Sequence, residues 1–176
     1  MGFFRCFVYL TSLGMFTFFA GRFIPKSWIH PDDFPYKSYR FEKRGKLYDK
    51  LGVRKWQSKV LDMSKLFPKF IPQKKLDGDV MAALPLMIKE TCIAELIHWL
   101  LVLPGFCCLY LWEGAGGVVI VILYELGNIP YIIIQRYNRP RFIAMLKRME
   151  KRNGKIAVSE DSSFSTQPVY RLEGEN

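Results

Sequence analysis

Apolar and polar positions fall in long blocks along this chain. Phe3 to Ala20 is almost wholly apolar, with Arg5 near its start. Arg22 to Lys89 is polar and holds most of the Lys and Arg. Ile93 to Leu111 is apolar, and so is Val118 to Ile134, with the turn W-E-G-A-G-G at Trp112–Gly117 between them. Roughly 20 apolar residues carry a helix across bilayer hydrocarbon. The pattern therefore predicts an all-α integral membrane protein with about three transmembrane helices, near 3–23, 93–111 and 118–134. Interfacial helices are expected in the basic loop over 24–89. Residues 1–158 read as one membrane-embedded domain, and the Ser- and acid-rich end over 159–176 reads as a disordered tail.

Finer features follow from breakers and spacing. Val53, Trp56, Val60, Leu61 and Ser64 fall near one side of a helix over 53–66, with Lys55, Lys59 and Lys65 elsewhere. Pro68, Pro72 and Asp77-Gly78-Asp79 mark turns. Val80 to Glu90 reads as an interfacial or re-entrant entry to the second span. Pro104-Gly105 should kink that span, and Pro130 should interrupt the third. Phe142 to Arg152 reads as a separate short amphipathic helix. The first span is read as a signal anchor, because bulky Phe18 stands where a signal-peptidase site needs a small residue.

Charge decides orientation. The 176 residues carry a formal net charge of +10, yet half are hydrophobic and the charges avoid the apolar blocks. No recognition motif for nucleic acid accompanies them, which argues against that partner. Both the 24–89 loop and the segment after Gln135 are basic, while the Trp112–Gly117 turn has no basic residue. The positive-inside rule then puts the loop and the C-terminus in the cytoplasm and the N-terminus outside, in a multi-pass protein of the cell membrane. Aromatic residues spread among the basic ones suit the headgroup layer, so the bilayer itself is an expected partner. The four cysteines lie in or beside apolar segments without a C-x-x-C pair and read as packing groups.

Against this background a few polar residues stand out, because polar groups in hydrocarbon are expensive. Thr91, Glu95, His98 and Val102 share a helical stripe, so Glu95 can meet His98 and tune it as a general base; the bland reading is a structural pair tying helices together. A metal site is not expected, since the other histidine, His30, is remote in sequence. On the third span, Asn128 and Gln135 are seven apart and Glu125 lies close by, on a face expected to look inward toward Glu95 and His98, either as substrate contacts or as polar glue between helices. Arg136, Arg139 and Arg141 surround Tyr137 and Asn138 at the span's end. They fit an anion clamp or, equally, a stop-transfer cluster.

Four stretches carry a resemblance: F-E-K-R-G-K-L-Y-D-K at Phe41–Lys50, V-R-K-W-Q-S-K-V-L-D at Val53–Asp62, E-T-C-I-A-E-L-I-H-W at Glu90–Trp99, and N-I-P-Y-I-I-I-Q-R-Y-N-R-P-R at Asn128–Arg141. With them the chain resembles the glycosyl-4,4'-diaponeurosporenoate acyltransferases of staphyloxanthin-type carotenoid biosynthesis. The resemblance implies a membrane O-acyltransferase with an acyl thioester as co-substrate, from acyl-CoA or acyl carrier protein, and no cofactor. The acceptor would be a sugar hydroxyl of a glycosyl carotenoid or related glycolipid. Carried onto this sequence, His98 would remove the hydroxyl proton with Glu95 orienting it. Asn128 or Gln135 would bind the oxyanion or sugar, and Arg136, Asn138, Arg139 and Arg141, with Arg54, Lys55 and Trp56, would bind substrate. Three helices make a thin wall around a lipid-sized substrate, which leaves room for an oligomer. The competing class is a non-catalytic lipid-binding or assembly subunit. A small methyltransferase is a third reading, but no residue specifically asks for its sulfonium cofactor.

Overall fold

The computed structural model describes residues 1–60 and 80–164, with only the backbone described at Arg44 and over 154–164. The described residues are helices, turns and bends, without strands. Helix α1 spans Gly2–Phe23, α2 Lys46–Lys50, α3 Val53–Trp56, α4 Val80–Gly105, α5 Cys108–Leu111 and α6 Ala115–Phe164; short 3-10 turns cover Lys26–Trp28, Arg40–Gly45 and Gln57–Lys59. Three segments, Gly2–Phe23, Val80–Leu111 and Ala115–Asn153, are long and apolar enough to cross a membrane. Their outer faces leave large apolar side chains uncovered, among them Phe4 at 69% exposure and Leu123 at 61%. Contiguous apolar surface of this kind needs lipid or another apolar partner.

The second and third spanning helices run longer than expected. Val80 to Glu90 is not a separate entry segment but the first half of α4, so the loop ends ten residues earlier than its predicted limit at 89. The third span does not stop at Ile134, and Phe142 to Arg152 is no independent helix. A single 50-residue α6 passes through both Pro130 and Pro140. Proline removes one donor and frees one carbonyl, and a spanning helix tolerates that where neighbouring helices cover the gap. The predicted helix over 53–66 is only α3 and the turn at Gln57–Lys59 as far as Val60; its remainder and the turns at Pro68, Pro72 and 77–79 lie outside the described residues. The tail expected from 159 begins within α6, and 165–176 lie outside the described residues.

Helices α4 and α6 form an antiparallel hairpin, with α1 packed on both. At the hairpin's closed end, Cys6, Cys108 and Val121 make a small core flanked by Tyr9 and Trp112. The crossing is close there: a Cβ on Gly105 would sit 2.9 Å from the Tyr124 ring and 3.0 Å from Glu125 Oε1. At the open end, the polar segment between α1 and α4 folds back onto the hairpin. Tyr48 and Val53 bury against Tyr137 of α6, with Trp56 alongside. Gly45, at φ +90°, makes this approach feasible, since a Cβ would meet Pro140 and Arg141 at 3.2 and 3.3 Å.

Candidate active site

Two polar constellations occupy the hairpin, and the antiparallel pairing sets their order. The first joins four charged side chains. Glu95 is 1% exposed, and its two oxygens accept from Arg136 Nη1 and Arg139 Nη2, each at 2.5 Å. Arg136 Nε also donates to Glu42 Oε1 at 2.5 Å. Glu42 is fixed in turn by the Tyr48 hydroxyl at 2.6 Å and the Tyr39 backbone N–H at 2.8 Å. Arg139 donates to Thr91 Oγ1 at 2.9 Å, the Thr91 carbonyl at 3.1 Å and the Tyr36 carbonyl at 2.7 Å. Arg136 reaches the carbonyls of Pro35 and Lys37, both at 3.2 Å. The rings of Tyr39 and Tyr36 lie over the two guanidiniums, at 4.8 and 5.4 Å.

This network is electrically balanced: two arginines meet two carboxylates. Each arginine has spent four of its five N–H donors on the protein itself, on partners just named. Burial pushes the Glu42 carboxyl up, but the hydrogen bonds from Arg136, Tyr48 and the Tyr39 N–H outweigh it and hold the group below the usual carboxylate range. Burial, and then the hydrogen bond to Glu42, push the Tyr48 phenol above its usual range. Burial likewise raises Tyr36. A buried network of this kind, with all but one donor per arginine paired, fixes geometry and is costly to break.

The second constellation lies one turn farther along α4. His98 Nδ1 sits 3.1 Å from Asn128 Oδ1 on α6, and Asn128 Nδ2 donates to the Tyr124 carbonyl at 2.9 Å. The His98 ring stacks on Tyr131, with centroids 4.6 Å apart and planes within 8°. His98 is half-buried, whereas Asn128 is buried. The expected Glu95–His98 pair is therefore replaced by two separate ones. Position on one stripe allowed their contact, but the arginines from α6 claim both oxygens of Glu95.

The other predicted residues scatter. Arg141 stacks on Tyr137 at 3.4 Å and donates to Asp49 at 2.6 Å and to the Tyr137 carbonyl at 2.7 Å. Gln135 and Asn138 are half-buried on α6 and join neither constellation. Arg54 and Lys55 are exposed on α3, and Trp56 donates to the Leu51 carbonyl at 3.2 Å while packing beside Tyr48 and Val53. Glu125 is 8% exposed, and neither of its oxygens has a hydrogen-bond partner among the described residues. Among those residues no group of His, Cys, Asp and Glu could hold a metal ion.

A cavity of about 630 Å³ opens beside the charged network, walled by Tyr36, Glu42, Arg136, Arg139, Arg141 and Pro140, with Asp32, Lys37 and Lys147 at its margin. Glu42, Tyr131, Lys37 and Lys147 are the participants not picked out from the sequence, while Thr91 stood out only as a member of the Glu95–His98 stripe. Glu42 and Tyr48 do lie within the Phe41–Lys50 stretch that carries the resemblance, which was the available signal.

Residues 25–148, which hold both constellations and the cavity, match the family described as glycosyl-4,4'-diaponeurosporenoate acyltransferase. The chain belongs to this family. Among its relatives, a protein of that name from Staphylococcus aureus strain MRSA252 is 38% identical over 136 residues, 75% of this chain and 80% of that protein. The counterparts from strains N315 and bovine RF122 / ET3-1 are each 37% identical over the same shares. No solved structure matches the chain. Family membership makes the chain an acyltransferase and sets aside the non-catalytic subunit and the methyltransferase.

Proposed function

We propose that this chain transfers a fatty acyl group from a thioester to a sugar hydroxyl of a glycosylated carotenoid or a related glycolipid, with His98 as general base. The relatives' name supplies the acceptor class. The observation that carries the residue assignment is the His98 imidazole, held at one edge by Asn128 and on one face by Tyr131. The free ring nitrogen takes the hydroxyl proton, and the oxygen attacks the thioester carbonyl. The tetrahedral adduct collapses with loss of thiolate, which recovers the proton from the imidazolium. Direct transfer is favoured because neither serine nor cysteine hydrogen-bonds His98 among the described residues.

The donor's polar carrier, coenzyme A or an acyl carrier protein's prosthetic arm, would occupy the 630 Å³ cavity. Arg136 and Arg139 are neutralised and nearly saturated, so they shape its wall. Lys37, Lys147 and the outer edge of Arg141 are the groups placed to meet phosphate. The lipid acceptor would approach from the apolar side. The basic end of the hairpin faces the cytoplasm in this reading, and the N-terminus faces outward.

Expression of the wild-type chain and a His98→Gln variant in cells containing a glycosyl carotenoid, at equal protein levels, tests the reading by mass spectrometry of lipid extracts. An acylated product from the wild type alone is expected. Equal product from both would return His98 to a structural role, and none from the wild type would discard this acceptor class.

A further inference from the structure

We infer that Asn128 is a positioning residue that holds neutral His98 in its Nδ1–H tautomer and so leaves Nε2 as the basic nitrogen of the acyl-transfer site. The argument starts at the far end of the amide. Asn128 Nδ2 lies 2.9 Å from the Tyr124 carbonyl oxygen, which only accepts. Reversing the amide would set two oxygens against each other, so the carbonyl fixes which way Asn128 faces. Its Oδ1 therefore points at His98 Nδ1, 3.1 Å away. An amide oxygen offers no proton, so the hydrogen between them belongs to Nδ1. A neutral imidazole has one N–H, and Nε2 keeps the lone pair.

Several details fit this role better than simple helix glue. Asn128 is 8% exposed, so water does not compete for its oxygen. Tyr131 holds the ring plane, which leaves the Asn128 contact to choose the tautomer. Nε2 accepts no hydrogen bond from the described residues and is not among the sealed polar atoms that lack partners. Glu95, the charged group nearest along α4, is occupied by Arg136 and Arg139 and cannot set the tautomer itself. Asn128 was expected to contact the oxyanion or sugar; with its oxygen on His98 and one N–H on Tyr124, it acts on the reaction through the imidazole. The inference rests on His98 being the base, and its test separates the two.

The chain has two histidines, His30 and His98. Selective ¹⁵N-histidine labelling of the full chain in lipid nanodiscs therefore gives two imidazoles, and His30→Gln leaves one. At a pH where the ring is neutral, Nδ1 should carry the proton and Nε2 should not. Asn128→Leu should release the ring to a mixture of tautomers and lower kcat on the order of 10²-fold, with KM for the acyl donor unchanged. Asn128→Gln, which keeps an amide oxygen for Nδ1–H and an amide N–H for the Tyr124 carbonyl, should keep the tautomer and remain within about ten-fold of wild type. An Nε2–H ring in the wild type overturns the inference, and so does an Asn128→Leu variant with unchanged tautomer and kcat. If Asn128→Leu fails to fold, the wild-type spectrum and the Gln variant still decide. A wild-type ring of the expected tautomer together with full activity in His98→Gln would remove His98 as the base while leaving its pairing intact.

Discussion

The charged network and the His98–Asn128 pair lie one helical turn apart on α4, about 4.5 Å along the axis, yet they are built on opposite plans. Glu95, Glu42, Arg136 and Arg139 are buried or nearly so, neutral as a group, and tied to the backbone carbonyls of Pro35, Tyr36, Lys37 and Thr91. Of the donors in that set only one N–H per arginine is left over for a substrate. His98 has one ring nitrogen engaged and the other unengaged, on a half-buried side chain. A saturated set is suited to holding the 35–48 segment against the hairpin, and an unsaturated one to exchanging a proton. Polar residues in a spanning helix are functional candidates by default, and the contrast shows how to sort them: count the donors and acceptors that remain after the protein has used its own.

The largest effect that could break this contrast is on stability. Glu95→Gln removes the carboxylate that Arg136 and Arg139 share and leaves two buried guanidiniums with Glu42 alone. Breaking a buried ion pair on one side costs about 3–5 kcal/mol. The variant should show a lower melting temperature in nanodiscs, while the folded fraction keeps its acyl-transfer rate within a few-fold. His98→Gln should do the reverse, with an unchanged melting temperature and a rate loss on the order of 10²-fold or more. A stable Glu95→Gln protein with no activity would make Glu95 part of the chemistry and cancel the distinction.

A smaller effect sharpens the donor side. Lys37 and Lys147 are exposed at the cavity margin and serve no ion pair given above. Lys37→Ala and Lys147→Ala should each raise KM for an acyl-CoA donor by at most about five-fold, with kcat unchanged, and the effect should fade with added salt. An unchanged KM at low salt would move the donor away from this cavity.

Sequence reasoning saw the spans because composition and length determine them: Phe3–Ala20, Ile93–Leu111 and Val118–Ile134 all lie inside the three membrane-length segments. It underestimated the third helix, expecting an interruption at Pro130 and an end at Ile134 before the basic segment, where packing within the hairpin carries one helix through. His98 and Asn128 were both visible as polar residues in apolar surroundings, and the Asn128 face was expected to look toward Glu95 and His98; the direct hydrogen bond between the two was not legible. Helical spacing reports which residues of one helix share a face, and says nothing of what the next helix or a loop brings to it. Glu95 and His98 shared a stripe, so a contact was expected; Arg136, Arg139 and Glu42 came from elsewhere and redirected Glu95. The role of Glu42 was hidden for the same reason, since its partner Arg136 is 94 residues away.

The smallest effect concerns acid, and it isolates the half of the network contributed by the loop. In the folded chain the Glu42 carboxyl is held below its usual range, so the unfolded chain binds its proton more readily. Stability from this group is then complete above the ordinary carboxylate pKa, about 4.3, and is lost as pH falls through the lower folded value. Melting temperature measured across that acidic range should fall more steeply in the wild type than in Glu42→Gln, which carries no proton to gain. Because Glu42 binds Arg136 but not Arg139, Glu42→Gln should also spare the Glu95–Arg139 half and destabilise less than Glu95→Gln. Equal pH slopes in the two proteins would mean that Glu42 is not the acid-sensitive member, and that the loop is held by its tyrosines and backbone carbonyls alone.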